Sequence, residues 1–248
     1  MTPAVAVVLR PDPWLSERLD RPCYSLPADT IVDSALSRTL RRPRIFVTAK
    51  IPGDQHIRDR NLQALGFRPI ETALSYTADR LDAPADDARV RFARDRDEAC
   101  VREVAATSFR YSRFHLDPAI PQAAANRIKA DWAGNFFRGA RGDGMVVAEA
   151  DARVAGFLQL VWSGRRLVID LIAVAPGAAR RGLARAMIGF AAAHGTDDGR
   201  RPDGLAAGTQ AANIPACRLY ESLGFRLTSA ATVAHFHGPG VDADGQAV

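Results

Sequence analysis

Apolar and polar residues alternate along this 248-residue chain with two different periods. Short runs rich in β-branched residues predict buried strands, and the clearest of them spans residues 168–174. Longer segments with apolar residues three or four positions apart predict helices between these runs. The two kinds of segment are interleaved along the chain, so the pattern predicts an α/β or α+β protein with a mixed sheet.

The first part of the chain contains enough pattern for a small folded unit. The expected strands lie at residues 4–9, 44–50 and 67–77, and the expected helices at 30–40 and 57–65. Asp29 or Thr30 is the expected N-cap of the first helix, because a short oxygen-bearing side chain accepts bonds from first-turn N–H groups. Gly66 is expected to end the second helix in the left-handed conformation.

A polar segment with a proline, residues 81–87, predicts a linker. The strands expected after it lie at 89–93, 145–149, 154–162, 168–174, 204–208 and 226–236, and the helices at 95–109, 119–137, 183–193 and 213–223. Asp95 and Glu98 have the spacing of a capping box. We therefore predict an N-terminal unit at 1–85, a complete domain at 86–238 and a disordered tail at 239–248.

A short internal repeat connects the two folded parts. Leu65-Gly66-Phe67-Arg68 recurs as Leu223-Gly224-Phe225-Arg226, each time between a helical pattern and a strand. We predict that the first unit is a partial copy of the second, and a chance likeness of two helix ends is the alternative. The first copy has Leu62 where the second has Tyr220 and lacks a glycine-bearing turn before it. A scaffolding or acceptor-shaping role is therefore expected for the first unit.

Composition argues against several classes of protein. The chain is 47% hydrophobic and 25% charged, as is usual for globular proteins, and no apolar run approaches the ~20 residues that span a bilayer. Arg10 and Asp12 interrupt the N-terminal apolar run, which speaks against a secretory signal. The three cysteines are too scattered for a disulfide framework or a zinc site. We expect a cytoplasmic protein with no metal and no membrane partner.

The net charge of +5 suits an anionic small-molecule ligand. Nucleic acid is the other common partner of basic proteins. However, the basic residues are interleaved with acidic ones, and the densest cluster, between residues 38 and 44, is short. We therefore expect no nucleic-acid partner, and the sequence leaves a homodimer open.

The segment after the 168–174 run has the features of an anion site. Pro176 ends the predicted strand, since proline has no N–H for a ladder. A turn with Arg180, Arg181 and Gly182 then leads into an Ala/Leu/Met helical pattern. N–H groups at a helix start lack partners and lie at the positive end of the helix dipole. Gly182 has no side chain, so a ligand can approach the backbone closely at this position.

Two motifs in this region resemble those of the GCN5-related N-acetyltransferases. The first is V-x-P-x-x-[RQ]-x-x-G-x-[GA], which the chain matches at Val174, Pro176, Gly182 and Ala184. Ala179 departs from it, because the family usually has Arg or Gln there, and the adjacent Arg180 and Arg181 are expected to compensate. The second motif, N-x-x-A-x-x-L-Y-x-x-x-G-F, is matched without departure by residues 213–225.

Looser similarities point to one group of enzymes within this family. Residues 112–114 with Trp132, and residues 49–51 with 62–67, are similar to segments of the TDP-fucosamine (dTDP-4-amino-4,6-dideoxygalactose) acetyltransferase group. The resemblance implies the GNAT fold, with a mixed central sheet flanked by helices and a degenerate GNAT-like first unit. It also implies acetyl-CoA as the donor and the primary amine of a small molecule as the acceptor, in this group an amino sugar carried on a nucleotide.

The resemblance also assigns roles to residues. The strand at 170–174 is expected to splay from its neighbour and pair with the pantetheine arm. The cofactor-binding set it implies is Ile172, Ala173, Val174, Ala179, Arg180, Arg181, Gly182, Leu183, Ala184, Arg185, Gln210, Asn213 and Ala216. A loop between two helices is expected to bind the acceptor through Arg113, Phe114 and His115, with a solvated histidine as the alternative for the last.

Tyr220 is the expected general acid, because its usual pKa of about 10 keeps it protonated at neutral pH. Asp170 is the candidate base, and a structural carboxylate paired with an arginine, or a water chain without a single base, are the alternatives. Two other functions stay open. They are a protein or peptide N-terminal acetyltransferase and a non-catalytic acyl-CoA-binding sensor.

Overall fold

The structure, a computed structural model, describes residues 9–240 except 82 and 84. Most of the expected first strand and of the expected tail, and part of the expected linker, lie outside the described residues. The strands are β1 (Arg10–Pro11), β2 (Cys23–Leu26), β3 (Phe46–Pro52), β4 (Arg68–Ala78), β5 (Val90–Phe92), β6 (Gly144–Ala150), β7 (Arg153–Ser163), β8 (Arg166–Val174), β9 (Gly204–Gln210) and β10 (Arg226–His237). The helices are α1 (Pro13–Leu19), α2 (Ser34–Leu40), α3 (His56–Ala64), α4 (Glu98–Ser108), α5 (Arg113–Leu116), α6 (Gln122–Gly134), α7 (Leu183–His194) and α8 (Ile214–Ser222).

The chain packs into two units. Among the described residues, one unit comprises 9–73 with 229–240, and the other comprises those between 74 and 228. Strands β4 and β10 each belong partly to one unit and partly to the other. These limits follow packing, and the functional boundary between residues 85 and 86 stays a prediction.

The second unit is built on a mixed sheet. Strands β5, β6, β7 and β8 pair antiparallel in succession, and β9 pairs with β8 in parallel. Every second side chain of β8 is buried, and the buried side chains of its two halves belong to different cores. Leu167 and Ile169 pack with the apolar face of α7, whereas Leu171 and Ala173 pack with α4 and α6. Helices therefore cover both faces of this sheet.

The strands of the first unit also pair in a mixed pattern. Strand β1 pairs antiparallel with β2, β2 pairs parallel with β3, and β3 pairs antiparallel with β10. Its core contains Leu36 from α2, Val47 from β3 and Leu62 from α3. The predicted mixed α/β class is confirmed.

The predicted start of α2 is wrong by four residues. Asp33, rather than Asp29 or Thr30, is the N-cap, and its Oδ1 accepts the N–H groups of Ala35 and Leu36 at 2.9 and 3.0 Å. The helical pattern extended back to residue 30 because Ile31 and Val32 continue the apolar spacing into the preceding loop. Ile31 is instead 66% exposed.

The ends of two other helices also differ from the prediction. Residues Asp95–Asp97 form a 3₁₀ turn before α4, so Arg94 rather than Asp95 is the N-cap. Asp97 rather than Glu98 completes the capping box, since it accepts the Arg94 N–H at 2.8 Å. The long helix predicted at 119–137 is α6, which begins after Pro121. The other predicted elements among the described residues are confirmed, with ends shifted by a few residues.

The pattern missed β1, α1, β2 and α5, none of which exceeds seven residues. Such short elements contain too few residues to show a period. The longest helix in the described part of the chain is α6, with 13 residues, and no helix there is long and apolar enough to cross a membrane.

Candidate active site

Strands β8 and β9 pair over only part of their length. Their parallel register joins residues 166–169 to residues 204–207 and ends there. A β-bulge lies on β8 at the same point, because Leu160 of β7 faces Ile169 while Gln159 faces Leu171, which leaves Asp170 as the extra residue. A bulge bends its strand and ends pairing. The register therefore gives the β9-facing edge of residues 170–174 no strand partner, and a cleft begins at this point.

The turn that follows β8 lies at the end of this cleft. Pro176–Ala178 form a 3₁₀ turn, and Arg180 and Gly182 then adopt left-handed φ angles of 64° and 79°. This conformation costs a residue with a Cβ about 1–2 kcal/mol, so it is uncommon at an arginine. Such strain concentrates at ligand-binding segments and supports a binding role for the turn.

Gly182 begins α7 without a side-chain cap. The first-turn N–H groups of this 12-residue helix therefore have no capping oxygen. Nothing lies within 4 Å of the position that a Cβ would take at Gly177 or Gly182. An anion that enters this space meets unpaired donors and the positive end of the helix dipole, so the turn fits a diphosphate.

The arginines within the turn and at the start of α7 are engaged to different degrees. Arg181 pairs with Asp151 at 2.9 Å, and Arg185 donates to the Ser222 hydroxyl at 2.8 Å. Arg180 is exposed and has no ion pair among the described residues. Arg180 is therefore the guanidinium most available to a phosphate beside Ala179.

The predicted cofactor-binding residues lie in elements that start or end at one edge of the sheet. Because β8 and β9 are parallel, their carboxyl ends lie at the same edge, and α7 and α8 begin beside it. The structure places Ile172, Ala173 and Val174 in β8, Ala179, Arg180, Arg181 and Gly182 in the turn, Leu183, Ala184 and Arg185 in α7, Gln210 in β9, and Asn213 and Ala216 at the start of α8. The side chains of Ala173 and Leu183 are buried in the core, so these two residues can offer only backbone groups to a ligand.

Asn213 is the N-cap of α8. Its side-chain oxygen accepts the Ala216 N–H at 3.4 Å, and its own N–H donates to the Gln210 carbonyl at 2.8 Å. The cap joins the end of β9 to the start of α8, and it fixes the backbone on the second side of the cleft.

Tyr220 lies two turns into α8 and is 1% exposed. Its ring packs against Tyr76 and Phe225, with centroid distances of 5.8 and 5.3 Å. Burial raises the pKa of Tyr220 above the usual range of a phenol, so this hydroxyl stays protonated at neutral pH. Its role as general acid stays a prediction.

Asp170 is held by three side chains from separate elements. Its Oδ2 accepts from Trp132 Nε1 at 2.9 Å, from Arg141 Nε at 2.7 Å and from Gln159 Nε2 at 3.0 Å. Its Oδ1 accepts from Arg141 Nη2, and the Asp170 side chain is 8% exposed. Four donors engage most of the lone pairs of a carboxylate. The geometry favours the structural-carboxylate alternative over a role as general base.

The sequence analysis missed Arg141 and Gln159. Gln159 is a lone polar residue inside the apolar run of β7 and is 0% exposed, so its position in that run was an available signal. Its Oε1 is buried without a hydrogen-bond partner. Arg141 lies in a glycine-rich loop outside any periodic element, and nothing local in the sequence points to its pairing with Asp170.

The predicted acceptor-binding residues form the short helix α5. Phe114 is buried, and the Arg113 guanidinium lies 4.8 Å from the centre of its ring. His115 is also buried, with Nδ1 2.7 Å from the Ser112 hydroxyl and Nε2 3.0 Å from Asn126 Oδ1. Desolvation lowers the pKa of His115, and nearby Lys129 lowers it further although the Asn126 bond opposes the shift. The solvated-histidine alternative is therefore wrong, and a direct contact of His115 with an acceptor stays a prediction.

Known proteins resemble this chain in sequence and in fold. The family model described as "Acetyltransferase (GNAT) family" matches residues 102–225, which is half of the chain. The spore coat polysaccharide biosynthesis protein SpsD of Bacillus subtilis is 32% identical over 148 residues, which are 59% of this chain and 50% of that protein. The chain therefore spans about half the length of the curated relative that it matches.

Solved structures with low sequence identity share the fold. A GCN5-related N-acetyltransferase from Sphaerobacter thermophilus has a TM-score of 0.56 at 16% identity, covering 82% of this chain and 64% of that chain. One from Kribbella flavida has a TM-score of 0.54 at 13% identity, covering 91% and 84%. At these identities the likeness shows the fold alone. The family model matches half of the chain and shows that the chain belongs to the acetyltransferase (GNAT) family.

Proposed function

We propose that the chain transfers the acetyl group of acetyl-CoA to the primary amine of a small molecule. The observation that carries this proposal is the cleft at the carboxyl ends of β8 and β9, where the register stops after residues 169 and 207 and an uncapped helix begins. A pantetheine arm is a chain of amides, and the unpaired edge of residues 170–174 suits it as an added strand.

The residues of the turn fit the diphosphate of the donor. Phosphate oxygens fit into the open space at Gly177 and Gly182. There the uncapped start of α7 offers them N–H donors. Arg180 supplies the positive charge that the family motif usually places one residue earlier, where this chain has Ala179. We therefore regard the departure at Ala179 as compensated.

When bound, acetyl-CoA supplies the acyl carbon, and a C–N bond to the acceptor forms as the C–S bond breaks. A backbone N–H near Ile172 or Ala173 is suited to polarise the acyl oxygen. Tyr220 holds a proton at Oη that the departing sulfur requires, and its raised pKa keeps that proton in place before the reaction. The amine loses its proton to water, because the Asp170 carboxylate is already engaged by Trp132 and Arg141.

We further propose a nucleotide-linked amino sugar as the acceptor. The net charge of +5 suits an acceptor that carries phosphate. The relative from Bacillus subtilis is described as a protein of polysaccharide biosynthesis, in which such sugars are building blocks. The similarity of residues 112–114 and Trp132 to the TDP-fucosamine group points to the same class.

A non-catalytic acyl-CoA-binding role is the second candidate. The observation that favours it is the deep burial of Tyr220, which is 1% exposed. A phenol with a raised pKa is also a weaker acid, and weaker acids donate protons less readily.

A screen for release of free coenzyme A thiol separates these functions. The purified chain is incubated with acetyl-CoA and one acceptor at a time from four sets: amino sugars, nucleotide-linked amino sugars, polyamines and peptides. We expect thiol release with a nucleotide-linked amino sugar. Release with peptides alone would identify the acceptor class as peptidic. Acetyl-CoA binding without release on any acceptor would favour the sensor.

A further inference from the structure

The internal repeat extends well beyond four residues. Strand β3, helix α3 and strand β4 begin at residues 46, 56 and 68, and β9, α8 and β10 begin at 204, 214 and 226, a constant offset of 158 (204 − 46). The strand pairing repeats as well. Residues 46–49 of β3 pair in parallel with β2, and the equivalent residues 204–207 of β9 pair in parallel with β8. The first unit therefore contains its own parallel pair, with its own cleft position beyond Ala49.

Two equivalent residues in the helices of this repeat differ greatly in side-chain size. The offset makes Arg58 of α3 the equivalent of Ala216 of α8. Arg58 donates through Nη1 to the Thr30 carbonyl at 2.5 Å and through Nη2 to the Pro27 carbonyl at 2.9 Å. It thus connects α3 to the loop between β2 and α2. Ala216 is too short to make such a connection.

The loops at the two clefts differ in charge and in capping. In the second unit the turn contains Arg180 and Arg181, and Gly182 at the N-cap of α7 has no side chain. In the first unit the loop contains no basic residue, and Asp33 at the N-cap of α2 accepts two first-turn N–H groups with its own carboxylate. The donors that would receive a phosphate are therefore already used, and Asp29 adds a second negative charge.

We propose that Arg58 and Asp33 close the first unit's copy of the cleft to coenzyme A, and that Ala216 and Gly182 keep the second copy open. This inference rests on the proposed function. A cavity of about 700 Å³ remains beside Arg58, but Asp29 and Asp54 line it and oppose a polyphosphate. The chain then binds one molecule of acetyl-CoA, and the choice between its two related clefts depends on these four positions.

Calorimetric titration of the full chain with acetyl-CoA tests the stoichiometry. We expect one site per chain in the native protein and no binding in Ala216→Arg, which brings the first unit's arginine into the second cleft. Gly182→Asp, which copies the capping carboxylate of Asp33, is expected to abolish binding independently. Melting temperatures of both variants without ligand show whether each is folded.

The outcomes distinguish the inference from the function on which it rests. Two sites in the native protein, or one site that persists in folded Ala216→Arg and Gly182→Asp, would overturn the inference and leave the proposed function intact. No binding to the native protein would overturn the proposed function and, with it, the open second cleft.

A measurement without ligand tests the role of Arg58 directly. Amide hydrogen exchange in residues 27–32 is compared between Arg58→Ala and the matched control Arg60→Ala, which removes an exposed arginine from the same helix. Because Arg58 donates to two carbonyls of that loop, we expect exchange there to accelerate about tenfold in Arg58→Ala and to stay unchanged in Arg60→Ala. Equal protection in the two variants would overturn the closing role of Arg58.

Discussion

The hydroxyl of Tyr220 is the only part of that side chain that the proposed chemistry uses. We expect Tyr220→Phe to lower acetyl transfer about 10²-fold while acetyl-CoA binding is largely kept, because the ring still fills its place against Phe225. Steady-state thiol release and calorimetry measure the two quantities. Tyr76→Phe is the matched control, since Tyr76 is also buried and lies against the same ring. Equal turnover in native protein and Tyr220→Phe would remove the phenol from the mechanism.

The ion pair of Asp170 with Arg141 can be tested by its coupling energy. Arg141 is 44% exposed and Asp170 is 8% exposed, so the pair lies between the surface and buried cases. We expect Asp170→Ala and Arg141→Ala to show a coupling of about 1 kcal/mol in a double-mutant cycle of urea unfolding. A coupling that is indistinguishable from zero would mean that the pair does not hold the carboxylate.

At the scale of elements, the start of α7 depends on a left-handed glycine. We expect Gly182→Ala to lower the free energy of unfolding by about 1–2 kcal/mol, since alanine is strained at the φ of 79°. Gly177→Ala is the matched control. Its Cβ also meets nothing within 4 Å, and its φ is not left-handed, so we expect a change within about 0.5 kcal/mol. Urea unfolding measures both, and equal losses would contradict the assigned turn geometry.

His115 connects α5 to α6, and its burial predicts that the stability of the folded chain depends on pH. Burial lowers the pKa of His115 below its usual 6.5, so below that pH the unfolded chain binds a proton that the folded chain does not. This contribution to stability is present above pH 6.5 and is lost as the pH falls toward the folded pKa. We expect the urea midpoint to fall between pH 7 and pH 5.5, and to fall less in His115→Gln.

The exposed His56 provides the control for this measurement. His56→Gln removes an imidazole that lies on the surface of α3, and we expect it to keep the native pH dependence. A native-like slope in His115→Gln would show that other groups cause the loss of stability at acid pH.

Elements with a full period were predictable from the sequence, whereas four of the short ones, β1, α1, β2 and α5, were not. The bounds of α3, α8 and β9 followed from periodicity and from glycines at the helix ends, such as Gly66 and Gly224, whose φ angles are left-handed. Pro121 before α6 and the cap at Asp33 overrode the apolar spacing, because local backbone chemistry decides where a helix begins. Strand β2 has only four residues, so its parallel pairing with β3 was not predictable.

At the scale of the whole molecule, the cleft was predictable where its residues are close in sequence. The turn at 175–182 and the start of α8 each form a continuous motif. The surroundings of Asp170 were not predictable, because Trp132, Arg141 and Gln159 come from three separate elements and only folding brings them to one carboxylate. The bulge that turns Asp170 toward them is a property of strand register, which a sequence pattern does not specify.

The most direct test of the central claim is the thermal melting of the chain with acetyl-CoA. A ligand that binds only the folded state raises the melting temperature by mass action. At a concentration about 100 times its dissociation constant, we expect acetyl-CoA to raise it by about 5–10 °C in the native protein, and not in Gly182→Asp. No shift of the native protein at millimolar acetyl-CoA would contradict the assignment of the β8–β9 cleft as its binding site.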